Sequence, residues 1–423
     1  MAGRRVTRVP FSGLLAENQE EMSERHRDRE PGTVAPWGDD LAIVLSGGGA
    51  RAAYQVGVLR AMAKHLPDMR FPIIAGVSAG AINAGFLATY TGTTAEAARE
   101  LSAIWGRLHV EDIFRVDPPS LAGGILRWAR WAARLATGEG LIGPELRGFL
   151  DTDPLRQTIC RGSSTVDGEL VGIERNLESG KLRAICITAL NYMTGQSVTW
   201  VQGDSIVPST QPLRPSQHIR LTAEHIMASC ALPLVFPAVR LGSTWYGDGG
   251  VRLSAPLSPA LRLGASRVLA ISPHYMPSHE EADRPQVTGY PPVAHILGQL
   301  LDAIFLDVLD EDVRRMKSLN ELIAKIPPEN RGGYRPVDIL VVRPSVDLGE
   351  LAVAYEPHLP DTFRLLARSI GAQESSTSDF LSMLMFQPDY LQKLMEIGEA
   401  DADAQMDGIR ALLEGVAIRE TAR

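Results

Sequence analysis

Cysteine is scarce in this chain: Cys160, Cys186 and Cys230 are the three among 423 residues, far apart and without a C-x-x-C pair. That excludes a disulfide framework and a cysteine-built zinc site, and it fits a reducing compartment. The three read as small buried apolar side chains. A basic excess is also missing. The 42 Lys and Arg stand against 50 Asp and Glu, a formal net charge of −8. Such a balance gives no reason to expect a nucleic-acid partner and argues against adhesion of the whole molecule to an anionic membrane. The first residues, MAGRRVTRVPFSGLLAENQEEMSERHRDREPG, carry basic side chains but no apolar stretch of signal-peptide length. Residues 1–38 are expected to form a charged, flexible arm, with the cytoplasm as default location and signal-free export left open. Long apolar runs are lacking but for FPIIAGVSAGAINAGFLATY, residues 71–90, and Gly76, Ser78, Gly80, Asn83 and Gly85 interrupt it. That run has a better explanation than a membrane span.

What is present is a composition able to build a large core: 45% hydrophobic, 22% charged, mean hydropathy −0.02. Leu41–Leu45 is a short apolar run ending in glycines, the pattern of a buried parallel strand. After Arg51, Val56, Leu59, Ala63 and Leu66 recur at helical spacing. The unit repeats at once, with Phe71–Ala75 as strand, Gly76–Gly80 as turn and Ala81–Tyr90 as helix. Alternation of this kind predicts an α/β fold, a mainly parallel central sheet sandwiched by helices. Further strands are expected at 182–190, 197–202, 268–272 and 337–345, and helices at 94–108, 217–229 and 293–325. The C-terminal part, 361–415, reads as mostly helical.

Two glycine-rich turns carry chemistry. Gly76-Val77-Ser78-Ala79-Gly80 is a G-x-S-x-G between strand and helix, the form that stands a serine hydroxyl at the tip of a tight turn. The helix that follows aims its free N–H groups at the same point. Ser46-Gly47-Gly48-Gly49-Ala50-Arg51 lies between the first strand and first helix. Its backbone N–H groups can converge on an anion, as an oxyanion requires, with Arg51 supporting the loop or adding positive potential. The same loop also fits G-x-G-x-x-A of a dinucleotide site. That reading needs an acid at the end of the second strand; Asp68 precedes the strand, and Gly76-Val77-Ser78 fills its end.

A serine nucleophile needs a proton acceptor. Asp248, in YGDGGVRLSAPL, precedes Gly249 and Gly250, which allow a close backbone approach, although a lone Asp-Gly-Gly is also an ordinary turn. A buried carboxylate bonded directly to the serine becomes an adequate base. Ser78, Asp248 and His274 also follow the Ser…Asp…His order of α/β-hydrolases, so a histidine-using esterase stays open. So does a binding scaffold without turnover.

Taken in order, LSGGGARAAYQVGVL, GVSAG and YGDGG resemble the patatin-like phospholipases, over about residues 41–262. AEHIMASCALPLVFPAV, residues 223–239, is similar to the stretch that precedes the family's Asp motif. The resemblance implies a lipid acyl hydrolase with a Ser–Asp dyad, no catalytic histidine, no metal and no cofactor. Ser78 would be the nucleophile and Asp248 the base, with Gly47, Gly48, Gly49 and Arg51 on the oxyanion side. Gly76 and Gly80 would shape the elbow and Gly249 and Gly250 the base motif. Ala52 stands where many members carry glycine. The implied division is the arm 1–38, a catalytic domain 39–262, and an extension 263–423 adding strands and helices to the same unit. A lipid acyl ester is the expected partner. Between nucleophile and base, residues 121–135 would, as a helix, put Arg127, Arg130 and Arg134 on one face and Trp128, Trp131 and Leu135 on another. That suits peripheral contact with a membrane surface, and equally an ordinary helix with its tryptophans in the core.

Overall fold

The computed structural model describes residues 38, 40–115, 148, 150–162, 165–166, 168–204, 206–207, 209, 211–285, 287, 289–305, 307–361, 363–364 and 379–416. The expected arm and the segment holding Trp128 and Trp131 lie outside the described residues.

Nine described strands form one mixed sheet: β1 (Leu41–Leu45), β2 (Ile73–Val77), β3 (Ala184–Asn191), β4 (Gln196–Gly203), β5 (Ser216–His218), β6 (Val239–Leu241), β7 (Thr244–Asp248), β8 (Arg267–Ile271) and β9 (Asp338–Val342). The main order is β9-β8-β1-β2-β3-β4-β5. β9, β8, β1, β2 and β3 run parallel, and β4 returns antiparallel to β3. Strands inside a parallel sheet are covered on both faces, which is why LAIVL, IIAGV and AICITALN are apolar runs without alternation and are buried throughout. One face packs through Ala42, Val44, Ala75, Cys186 and Val268 against Leu257, Ala260, Leu309 and Val313.

The helices that matter for the site are α1 (Ala53–His65), α2 (Ala79–Thr89), α3 (Thr94–Trp105), α4 (Asp153–Gly162), α5 (Ala223–Ser229), α6 (Val293–Phe305), α7 (Asp307–Ala324), α8 (Asp379–Leu384) and α9 (Pro388–Ala404). α1 and α9 approach through a reciprocal pair of glycines. A Cβ at Gly57 would lie 2.0 Å from the Met395 carbonyl oxygen, and one at Gly398 would lie 2.2 Å from that of Tyr54. The C-terminal part therefore packs directly on the first helix. The helix expected at 217–229 is shorter: Ser216–His218 pairs with Thr199–Val201 as an edge strand. Thr222, extended at φ −126° and ψ 166°, caps α5, so the helix cannot begin earlier. Among the described residues no helix is long and apolar enough to cross a membrane.

One detail of register decides the rest. β2 pairs with β3 from Ala184 to Thr188, ending at Val77↔Thr188. β7 pairs with β3 over the next residues, Asp248↔Ala189 to Tyr246↔Asn191, and runs the other way. Two strands thus share one edge of β3 end to end, and their tips, Ser78 and Asp248, meet.

Candidate active site

Ser78 leaves β2 with φ 55° and ψ −134° and caps the N-terminus of α2. A non-glycine residue at positive φ is strained, and the surroundings must hold it there. The flanking glycines permit that by close approach. A Cβ at Gly80 would lie 2.2 Å from the Leu45 carbonyl oxygen, and one at Gly76 would lie 2.6 Å from the Ala84 methyl. Behind the turn, the Ser78 N–H donates to Ser229 Oγ at 3.0 Å, and the Ser229 hydroxyl donates to the Thr188 carbonyl at 2.7 Å. The Cys230 thiol donates to the Ser78 carbonyl at 3.0 Å.

Ser78 Oγ donates to Asp248 Oδ2 at 2.5 Å across 170 positions of sequence. The other carboxylate oxygen, Oδ1, accepts from the Gly250 N–H at 2.9 Å. Gly249 is needed for a different reason: a Cβ there would lie 2.1 Å from the Thr188 carbonyl oxygen. The Asp248 side chain is fully buried. Burial pushes its carboxyl up to about 7, against the hydrogen bonds from Ser78 and Gly250. A carboxyl at that value exchanges a proton near neutrality, as a general base must.

The glycine loop faces the same place. Gly48 (φ 147°) and Gly49 (φ 58°) adopt backbone conformations that favour glycine, and no hydrogen bond from either N–H is found among the described residues. A Cβ at Gly49 would lie 2.1 Å from the Met383 carbonyl oxygen, so α8 fits against the loop only because this side chain is absent. Gly47 precedes the pair and is buried. Gly48, Gly49 and Ser78 line one cleft with Ala79, Cys230 and an apolar wall that includes Leu232, Phe236, Met383 and Leu384.

Arg51 does not point into that cleft. Its guanidinium is buried and bonded to Ser382 Oγ at 2.6 Å, Asp379 Oδ1 at 2.5 Å and Asp302 Oδ1 at 3.5 Å. It ties the base of the glycine loop to α6 and α8, which is the loop-supporting alternative of its two expected parts.

The patatin-like phospholipase family model matches residues 43–261. The chain belongs to the patatin-like phospholipase family. No curated protein is a significant match. Among solved structures, the patatin-like chain is 13% identical to VipD from Legionella pneumophila, covering 88% of this chain and 67% of VipD with a TM-score of 0.36. It is 12% identical to human GIVD cytosolic phospholipase A2, covering 94% of this chain and 64% of that one with a TM-score of 0.43. For the type III effector ExoU the values are 13%, 87%, 53% and 0.33. The chain thus spans about half to two thirds of the length of these proteins. The family assignment rests on the family match, and it supports a lipid hydrolase.

In this patatin-like fold His274 sits elsewhere. Its Nδ1 meets Asp310 Oδ2 at 2.9 Å and its Nε2 lies 3.4 Å from Asp307 Oδ1. Arg343 closes the same cluster on Asp310. Among the described residues Asp248 has no histidine partner, since its two oxygens are taken by Ser78 and Gly250. Sequence reasoning missed Ser229 and the thiol contact of Cys230, although both lie in the stretch noted before the Asp motif. It also missed Tyr192, whose hydroxyl lies 2.2 Å from where a Gly247 Cβ would stand. No local pattern marks any of them; their partners are distant in sequence.

Proposed function

We propose that the chain hydrolyses acyl esters of lipids, in the manner of a phospholipase A or lysophospholipase, through a Ser78–Asp248 dyad. The observation that carries this reading is the 2.5 Å hydrogen bond from Ser78 Oγ to a fully buried carboxylate, formed at the wall of an apolar cleft.

Asp248, as carboxylate, accepts the Ser78 proton while Oγ attacks the ester carbonyl carbon. The carbonyl π pair moves onto oxygen, where the N–H groups of Gly48 and Gly49 and the N-terminus of α2 stabilise the charge, with Gly47 shaping the loop. Collapse breaks the bond to the alcohol, which leaves with the proton from Asp248, and an acyl group stays on Ser78. Water then gives a proton to Asp248 and attacks the acyl carbon. The second collapse releases the fatty acid, and the proton returns to Ser78 Oγ. Burial of Asp248 supports this role because it lifts the carboxyl to about 7. No step needs a metal or a histidine. The catalytic domain is assigned to 39–262. The extension 263–423 belongs to the same unit because α6 and α8 brace the glycine loop. Contact with the lipid surface is assigned, on sequence grounds alone, to Trp128 and Trp131.

The test is acyl release from phospholipid, lysophospholipid, triacylglycerol and short p-nitrophenyl esters, with fluorophosphonate labelling alongside. Turnover and labelling that Ser78→Ala abolishes are the expected result. Folded protein that binds liposomes but neither turns over nor labels sinks the reading.

A further inference from the structure

We infer that a second cavity, behind the cleft that holds Ser78, receives the distal end of a long acyl chain; this rests on the acyl-hydrolase reading. The two spaces share four lining residues, Ile82, Ile113, Leu155 and Phe386, which form a neck between them. Beyond the neck lie about 450 Å³ of unfilled space, part of it open to solvent, walled by Phe86, Leu101, Ile104, Leu108 and Ile159.

The direction of the path is set by one helix. Ala79 and Ile82 of α2 line the first cleft, and Ile82 and Phe86 line the second. Spaced by three and four residues, they form one stripe, running about 10 Å from the Ser78 end of the helix. An extended apolar chain bonded through its carboxyl carbon to Ser78 Oγ has this stripe as its floor.

The second cavity is also apolar by construction. Its polar side-chain groups are spent elsewhere: the Thr158 hydroxyl donates to the Asp112 carbonyl at 2.9 Å, and the Trp105 indole N–H donates to Asn83 Oδ1 at 2.9 Å. A space with apolar walls and no free polar side-chain partner favours an apolar ligand over ordered water. Phe386, at the neck, stacks on Trp105 with ring centroids 6.2 Å apart, so its ring separates the two spaces. The cavity then sets preference by length: a short acyl group ends before the neck, and a long one buries further methylenes beyond it.

Gly162 gives a clean test because it lines the far end, and a Cβ there would meet only Ile104 Cδ1, at an ordinary 3.6 Å. A side chain at 162 can therefore enter the cavity without touching the proposed dyad or the glycine loop. Gly162→Phe is expected to lower kcat/KM for a hexadecanoyl ester by about tenfold or more and to leave a butanoyl ester within about twofold. Gly162→Val, the smaller intrusion, should fall between wild type and Gly162→Phe, and thermal melting checks that each variant is folded. Equal loss on both esters, or no loss on either, overturns the inference while leaving the hydrolase reading in place. A second arm does not depend on turnover. Ser78→Ala protein should bind a fluorescent hexadecanoic-acid probe, and adding Gly162→Phe should weaken that binding about tenfold. If neither ester is hydrolysed the hydrolase reading fails, and the probe still decides the cavity: unchanged binding in the double variant overturns it.

Discussion

Two buried aspartates sit near the carboxyl ends of strands in the same sheet, and they have opposite fates. Asp248 ends β7 with a serine hydroxyl and one backbone N–H as its partners. Asp310, on α7 beside the end of β8, bonds His274 and Arg343. Burial pushes both carboxyls up. At Asp248 no cation among the described residues opposes it, and the group rises to about 7. At Asp310 the His274 hydrogen bond and the Arg343 charge outweigh burial and hold the group below the usual carboxylate range. Burial alone does not decide where a carboxyl titrates; the presence or absence of a cation beside it does. The same comparison bears on the triad reading: among the described residues His274 is bonded into the ion cluster and not to the serine.

The sharpest way to test that contrast is Asp248→Asn, expected to cut kcat/KM on a lipid ester by about ten-thousandfold. Wild-type kcat/KM should rise as pH increases through about 7, where the Asp248 carboxylate forms. Stability runs the other way. Because the folded state raises this carboxyl, its contribution is full below the ordinary carboxylate range and is lost as pH rises through about 7. Urea unfolding at alkaline pH should accordingly show Asp248→Asn more stable than wild type. Asp310 has the opposite sign, its contribution being lost as pH falls through its lowered value. Arg343→Met strips that carboxylate of its main charge and should cost about 3 kcal/mol in urea unfolding at neutral pH, with little change in turnover per folded molecule. Next in size is Ser229→Ala, which leaves the Ser78 N–H without its acceptor. About 2 kcal/mol of stability is expected to go with it, together with a modest loss of kcat as the elbow relaxes. The smallest effect belongs to His274→Ala: turnover within about threefold of wild type and a stability loss of about 1 kcal/mol. Abolished turnover in folded His274→Ala protein would reverse the comparison.

Much of the architecture was legible because apolar runs and glycine turns are local signals. LAIVL followed by three glycines, and a G-x-S-x-G before an apolar stretch, mark two strand–loop–helix units without help from the rest of the chain. In the C-terminal part, expected to be helical, Leu381, Leu384, Met385, Leu391, Leu394 and Met395 are all buried. What stayed hidden depends on contacts between distant segments. Ser216–His218 is too short to show a period and becomes a strand only because β4 offers it an edge. Arg51 could support the loop or add charge to it, and the local sequence does not choose, because its partners Asp379 and Ser382 lie 328 and 331 positions away. Ser229 resembles any helical serine until the strained Ser78 N–H is placed above it.

The shared edge of β3 makes the meeting of hydroxyl and carboxylate a matter of counting. In a strand, side chains alternate between faces, so a shift by a single residue turns each one over. Deleting or inserting one residue within Thr244–Asp248 would aim the carboxylate at the far side of the sheet, however well the protein still folded. The turn at Gly242, between β6 and β7, has open space around it and could lengthen without moving the tip. Length variation in this family of chains should therefore be tolerated at the hairpin and purged from the strand, a signature to be sought in deletion libraries.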